Sequence, residues 1–319
     1  MKRASLLALA LGAAACHRGG EAVLWVGVPD EARVATFDAA GSRLGLEVGP
    51  PVLDTPARAL VLRRDGAVIA LQEPEACQGG ALDYGSDACV PATAARVAVP
   101  PAVVLSRRGV RVLAFAAADG GGTPLFTAAA PPWAAAEDAA GRVWVTGRAA
   151  PVVYAPGGAL AFQATALPFP TRGVAALSDG RVVVSYGVQD LAVYGADGTL
   201  AFQIPAPLPA GYDLVDALAV AADGTLLLGA ARTGVTSVGV VLRARIEGTA
   251  LVMAQDPAAS AALPGGVPSA LVAAAGRIAT GPPLGRVAPE ACGRWLSADL
   301  GAEQGCVVPA AHRGVAWLE

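Results

Sequence analysis

Four of the five cysteines stand in two matching frames. Pro74-Glu75-Ala76-Cys77 leads to Cys89-Val90-Pro91-Ala92, and Pro289-Glu290-Ala291-Cys292 leads to Cys306-Val307-Val308-Pro309-Ala310. The paired thiols lie twelve and fourteen residues apart. In an oxidising compartment these frames predict two disulfides, Cys77–Cys89 and Cys292–Cys306. Loop-closure entropy assigns each about 3 kcal/mol when the bond is unstrained. Zinc fits poorly, because neither pair has two-residue spacing and the chain has only two His. The enclosed segments carry Asp83, Tyr84, Ser86 and Asp87 in one copy and Arg294, Trp295, Asp299 and Glu303 in the other. They are candidate interaction loops, with Trp295 as the preferred anchor. The plainer alternative is a pair of staples on irregular parts of the fold.

Nucleophilic catalysis has little to draw on. His17 lies near the N-terminus, which leaves His312, with Ser297 and Asp299 nearby in sequence, to supply a Ser/His/Asp set. No G-x-S-x-G elbow accompanies them. Haem-attachment, phosphate-loop and H-E-x-x-H motifs are absent from the sequence too. The residue inventory therefore weighs against an enzyme, and no catalytic, metal or cofactor residue is assigned. Net charge is −3, with no basic runs and 5% aromatic residues. That excludes a nucleic-acid binder, which needs a basic face or a stacking platform.

The chain opens Met1-Lys2-Arg3 and continues apolar from Ala4 to Ala15. Positive charge, a short apolar run and small residues predict an export signal over residues 1–15. The run is too short to span a bilayer, which takes about 20 residues. Its end, Leu11-Gly12-Ala13-Ala14-Ala15-Cys16, resembles a bacterial lipoprotein signal. The resemblance implies diacylglycerol on Cys16 and a lipidated tether over residues 16–22. Ala13 stands where that family prefers Leu, and Ala13-Ala14-Ala15 also suits ordinary cleavage of a soluble periplasmic or secreted protein. Cys16 is the odd cysteine once the other four pair. His17 after it, by analogy with enterobacterial lipoproteins, implies outer-membrane sorting, with the lipid as the only membrane contact. Cleavage removes Lys2 and Arg3 and takes the net charge to −5.

The elements that must position these residues announce themselves by repetition. Val153-Tyr154-Ala-Pro-Gly-Gly158-Ala-Leu160-Ala161-Phe162-Gln163 returns forty residues on as Val193-Tyr194-Gly-Ala-Asp-Gly198-Thr-Leu200-Ala201-Phe202-Gln203. Strand, glycine turn and strand at that period predict an all-β fold, a β-propeller, over residues 23–319. Innermost strands start near 59, 95, 133, 174, 217, 270 and 315. Seven blades follow, or six if Ala95–Pro100 is an insertion. Arg313-Gly314-Val315-Ala316-Trp317 matches Arg172-Gly173-Val174-Ala175-Ala176. It supplies the inner strand of a blade completed from the N-terminus, closing the ring. Asp65-Gly66, Asp179-Gly180, Asp197-Gly198 and Asp223-Gly224 are expected as type I′ turns. The calcium-loop alternative lacks the D-x-D-x-D-G series. Trp25, Trp144 and Trp317 alternate with Val or Leu and are expected in the core, whereas Trp133 after Pro131-Pro132 is expected at a ring face.

The blade pattern resembles the NHL-type propellers, the calcium-dependent lactonases related to regucalcin, and the streptogramin lyases. The lactonase resemblance implies a metal held by Glu, Asp and Asn, but the chain has no Asn. The lyase resemblance implies His, which is nearly absent. The leading expectation is a monomeric, non-catalytic binding or scaffolding propeller that contacts a protein or glycan of the bacterial envelope. A divalent-cation-dependent lactonase or lyase and a structural envelope-assembly factor are the alternatives.

Overall fold

The computed structural model describes residues 132–274, 277–281 and 299–300, and elsewhere the strands given below. Among these residues, 26 strands numbered in chain order form six antiparallel sheets. One sheet runs β26 (Arg313–Leu318), β1 (Val23–Val28), β2 (Arg33–Phe37), β3 (Arg43–Val48). The next runs β4 (Ala57–Leu62), β5 (Val68–Gln72), β6 (Pro101–Arg108), β7 (Arg111–Ala114), with β8 (Pro124–Thr127) also on β6. The third holds β9 (Ala135–Glu137), β10 (Val143–Val145), β11 (Val152–Tyr154) and β12 (Leu160–Gln163). The fourth holds β13 (Thr171–Ala176), β14 (Val182–Tyr186), β15 (Asp190–Tyr194) and β16 (Leu200–Ile204). The fifth holds β17 (Tyr212–Val220), β18 (Leu226–Arg232), β19 (Val235–Glu247) and β20 (Ala250–Met253), with β21 (Ala262–Pro264) on β19. The last runs β22 (Leu271–Ala274), β23 (Arg277–Thr280), β24 (Gly293–Ser297), β25 (Glu303–Val308).

The innermost strands touch in a closed cycle, β26 to β4, β9, β13, β17, β22 and back to β26. Consecutive meanders arranged around a ring make a β-propeller. The closing contact is the expected one: β26 pairs with β1 through Leu24 and Trp317, Trp25 and Ala316, Val26 and Val315. The described residues form six sheets. Ala95–Pro100, taken as a seventh inner strand, lies outside them. The strands flanking it, β5 and β6, pair directly from Val68–Leu105 to Ala70–Val103.

The repeat that betrayed the fold occupies equivalent rungs. Val153 faces Phe162 and Tyr154 faces Leu160 in one copy, and Val193 faces Phe202 and Tyr194 faces Leu200 in the next. Both tyrosines are buried. The core lies between sheets, where Trp144, Val153, Val184 and Tyr194 meet in one cluster and Val183, Val193, Leu228 and Val240 in another. Each fully buried Val or Leu contributes about 1.5–3 kcal/mol. Trp144 has no exposed surface, as its alternation with Val implied.

Asp65-Gly66 lies outside the described residues, and the Asp-Gly turns at Gly180, Gly198 and Gly224 are where expected but of another type. Gly180 N donates to Leu177 O, and Leu177 N donates to Arg181 O, so the loop has three residues. Gly180 has φ of 88°, while Asp179 is not among the positive-φ residues. That is a type I turn followed by a glycine bulge, since a type I′ turn needs positive φ at both central residues. The aspartate earns its place by accepting from the backbone two residues on: Asp179 Oδ1 from Arg181 N at 3.0 Å, Asp197 Oδ1 from Thr199 N at 3.0 Å.

Candidate functional site

Five of the six inner strands converge on one cavity at the centre of the ring. Its wall is Ala59 and Leu60, Trp133 to Ala135, Val174, Ala217 and Leu218, and Ser269 to Leu271. The volume is about 50 Å³. That admits water, at about 30 Å³ per molecule, and is far below the ~300 Å³ at which drug-sized pockets begin. The small side chains have a structural cause. A Cβ added at Gly173 would lie 2.8 Å from the Asp216 carbonyl oxygen, so only glycine lets β13 approach β17 this closely.

That close approach brings charged groups together where β13 meets β17. Arg172 Nη1 donates to Asp216 Oδ1 at 2.7 Å, joining two neighbouring sheets. The Asp216 side chain is fully buried, whereas 17% of the Arg172 side chain remains exposed. The Arg172 guanidinium carbon also lies 5.7 Å from the ring centroid of Trp133, a cation–π contact onto a third sheet. Polar groups behind the wall hold these strands: Ser185 Oγ accepts from Gly173 N at 2.8 Å, and the Thr146 hydroxyl donates to the Arg172 carbonyl. A guanidinium is the counter-charge that a buried carboxylate requires.

A second buried carboxylate sits at a turn. Asp138 Oδ2 accepts from Trp144 Nε1 at 2.9 Å and from Arg142 Nε at 2.8 Å, while Oδ1 accepts from Ala140 N and Arg142 N. Burial alone would raise its pKa, but these donors together hold the carboxyl below the usual value. Its role is to pin the indole of the core.

The residues singled out in sequence fare unevenly. Cys16, Cys77, Cys89, Cys292, Asp83, Tyr84, Asp87 and His312 lie outside the described residues. Trp295 is on β24, paired with Ala279, and Glu303 and Cys306 are on β25. β24 and β25 are the outer strands of their sheet, so this part of the second cysteine frame is regular strand and not an irregular insertion. Asp299 is exposed in the turn between them and accepts from the Ser297 hydroxyl. Trp133, expected at a ring face, is half-buried against the central cavity. Arg172 and Asp216 went unnoticed as a pair because they are 44 residues apart. Aligning the inner strands on their turns would have found them. No group of three or more His, Cys, Asp or Glu is placed to hold a metal among the described residues.

Comparison with known proteins adds to the fold and not to the chemistry. No protein-family model and no curated protein matches the chain. Among solved structures, a protein of unknown function from Bacteroides caccae is similar with a TM-score of 0.59 and 10% identity, over 94% of this chain and 99% of that one. A protein from Lactobacillus plantarum is similar with a TM-score of 0.55 and 13% identity, again over 94% and 99%. At such identities the likeness is one of fold alone. The class of protein so defined is an all-β propeller.

Proposed function

We propose that this chain is an exported, six-bladed propeller that works as a non-catalytic binding or scaffolding protein of the bacterial envelope, tethered by a lipid on Cys16. The observation that carries the non-catalytic part is the central cavity. Its wall is mainly Ala, Val and Leu, its volume is about 50 Å³, and no carboxylate is among the described residues that line it. A lactonase-like propeller would instead present open carboxylates to a substrate-sized well. The export part is supported by the N-terminal pattern and by the paired cysteine frames, which suit an oxidising compartment. A monomer with broad loop-bearing faces then contacts an envelope protein or glycan. A purely structural part in envelope assembly is the narrower form of the same reading.

Affinity capture of the full chain from gently solubilised native envelope, read by mass spectrometry, tests the proposal. A stoichiometric partner is expected. A partnerless monomer, with melting temperature raised by calcium, would replace it with the cation-dependent alternative. Fractionation of a Cys16→Ala variant tests the anchor: the protein should move from membranes to the soluble fraction, and retention in membranes would remove the lipid.

A further inference from the structure

One end of the strands is knitted into a continuous rim. In an antiparallel meander, the link between the second and third strands and the link from the fourth strand onward fall at the same end. Hydrogen bonds join such links here across three sheets. Leu167 N donates to Ala149 O and Thr171 N to Arg148 O, which ties the segment before β13 to the link between β10 and β11. Asp190 Oδ1 accepts from Ala206 N at 2.9 Å and Val188 O accepts from Val215 N, which ties the segment around the start of β17 to the link between β14 and β15. Thr233 N donates to Gly211 O, and the Tyr212 hydroxyl donates to Pro257 O at 3.0 Å, which extends the rim over the third sheet.

Three unrelated features fall on this rim. Phe169 is 53% exposed and Val188 59% exposed, two of the four large apolar side chains exposed among the described residues. They are neighbours: a Cβ built on Gly187 would lie 3.4 Å from Phe169 Cδ2, so the phenyl ring rests beside the turn that carries Val188. Ala206 and Leu214 have positive φ, 42° and 53°, and the ladder of β17 slips at Leu214. Left-handed backbone at a residue other than glycine persists only where its surroundings enforce it, and it recurs at ligand clamps. The third feature is unmatched charge. At the opposite end of the strands, Arg142, Arg181 and Arg243 are paired with Asp138, Asp179 and Asp223. On the rim, the exposed Arg148 has no carboxylate partner among the described residues, and the half-buried Arg232 keeps its Nε buried without a hydrogen-bond partner.

We infer that this rim is the docking surface for an extended peptide segment of the partner, one in which apolar side chains lie between carboxylates. This rests on the binding reading above and names the partner's chemistry. Phe169 and Val188 receive the apolar side chains, and Arg148 on one side and Arg232 on the other give charge-assisted hydrogen bonds to the carboxylates. Charge favours a peptide over an anionic bilayer. Asp190, Asp213 and Asp256 share the rim, so it has no positive field to draw it onto a lipid surface. Asp190 and Asp256 accept from the Ala206 and Ala258 amides, and none of the three pairs with Arg148 or Arg232. A peptide can set one carboxylate on each arginine and avoid the aspartates, whereas a bilayer presents charge to all of them alike.

The test is fluorescence anisotropy of the detergent-solubilised full chain with a fluorescein-labelled hexapeptide, EELLEE, and with QQLLQQ and EESSEE as controls. EELLEE should bind, and each control should bind about tenfold more weakly or worse. Phe169→Ser/Val188→Ser and Arg148→Gln/Arg232→Gln should each weaken EELLEE by about tenfold. The arginine pair should still bind QQLLQQ as the native chain does, a result that lost folding would not give. Leu160→Ser, exposed on β12 away from the rim, should bind EELLEE as the native chain does. Equal binding of the three peptides, or native affinity for EELLEE in either double variant, would overturn the site. Displacement of EELLEE by phosphatidylglycerol added to the micelles, with phosphatidylcholine inert, would assign the rim to a lipid surface and overturn the peptide. Envelope capture with the Phe169→Ser/Val188→Ser chain distinguishes the two levels. A partner retained by both native and variant chains keeps the binding function and removes this site, whereas no partner with either chain removes the binding function itself.

Discussion

Arg172 on β13 and Asp216 on β17 meet at 2.7 Å across two neighbouring sheets, with the carboxylate wholly buried. Such a pair has a large desolvation cost of its own, so its net worth is small, but severing it leaves a buried charge without its counterpart. Arg172→Met should therefore lower stability by about 3–5 kcal/mol, while Arg172→Met/Asp216→Leu should recover most of that loss. Urea unfolding of the two variants measures both. Equal destabilisation by both variants would mean that packing, not charge, joins these sheets.

The second prediction concerns Gly173. A methyl group there would come 2.8 Å from the Asp216 carbonyl oxygen and 3.0 Å from the Leu218 backbone nitrogen. Both neighbours are backbone and cannot swing aside. Gly173→Ala should cost about 1–3 kcal/mol by overpacking. Gly157→Ala is the control, since nothing lies within 4 Å of its added Cβ. Thermal unfolding should separate the two, and an unchanged midpoint for Gly173→Ala would show that β13 and β17 have slack.

A third prediction follows from Asp138 and its sign. Its folded pKa is lowered, so the proton binds more readily to the unfolded chain. The stabilisation is complete above the unfolded carboxyl value of about 3.9 and is lost as pH falls through the folded one. Asp138→Asn should flatten the acid limb of a stability-against-pH curve at its lowest end. Trp144→Phe removes a hydrogen bond to a charged group and should cost about 1.5–3 kcal/mol at neutral pH, before any packing loss. Denaturant titrations from pH 2 upward read both effects, and parallel acid limbs in native and Asp138→Asn chains would deny the carboxyl this role.

These contacts mark where sequence reading succeeded and where it stopped. The hairpin repeat, the Asp-Gly turns and the pairing of Val315 with Val26 were legible because each is carried by neighbouring residues or by a copied pattern. The turn type was missed because Asp-Gly alone does not fix the loop length. The bond between Leu177 N and Arg181 O does. The choice between six and seven blades turned on Ala95–Pro100, which lies outside the described residues, and the strands on either side of it in the chain, β5 and β6, pair directly. The Arg172–Asp216 pair was hidden because its two members belong to different sheets. Each looks ordinary alone, and their meeting depends on how neighbouring sheets pack.

Closure gives the last prediction. β26 is the inner strand of its sheet, yet it is contributed by the far end of the chain, and it touches both β4 and β22. Removing Arg313–Glu319 deletes an inner strand and not an edge. The loss exposes β1 and opens the cycle between the first and last sheets, so neighbours on both sides lose their packing. The truncated chain should unfold at a markedly lower temperature and with a broader transition, because sheets that support each other around a ring become a linear stack. Adding the missing segment in trans as a peptide should restore part of the loss in proportion to its concentration. Scanning calorimetry of the truncated chain with and without the peptide decides it. An unchanged, equally sharp transition in the truncated chain would mean that the ring does not depend on this strand for its closure.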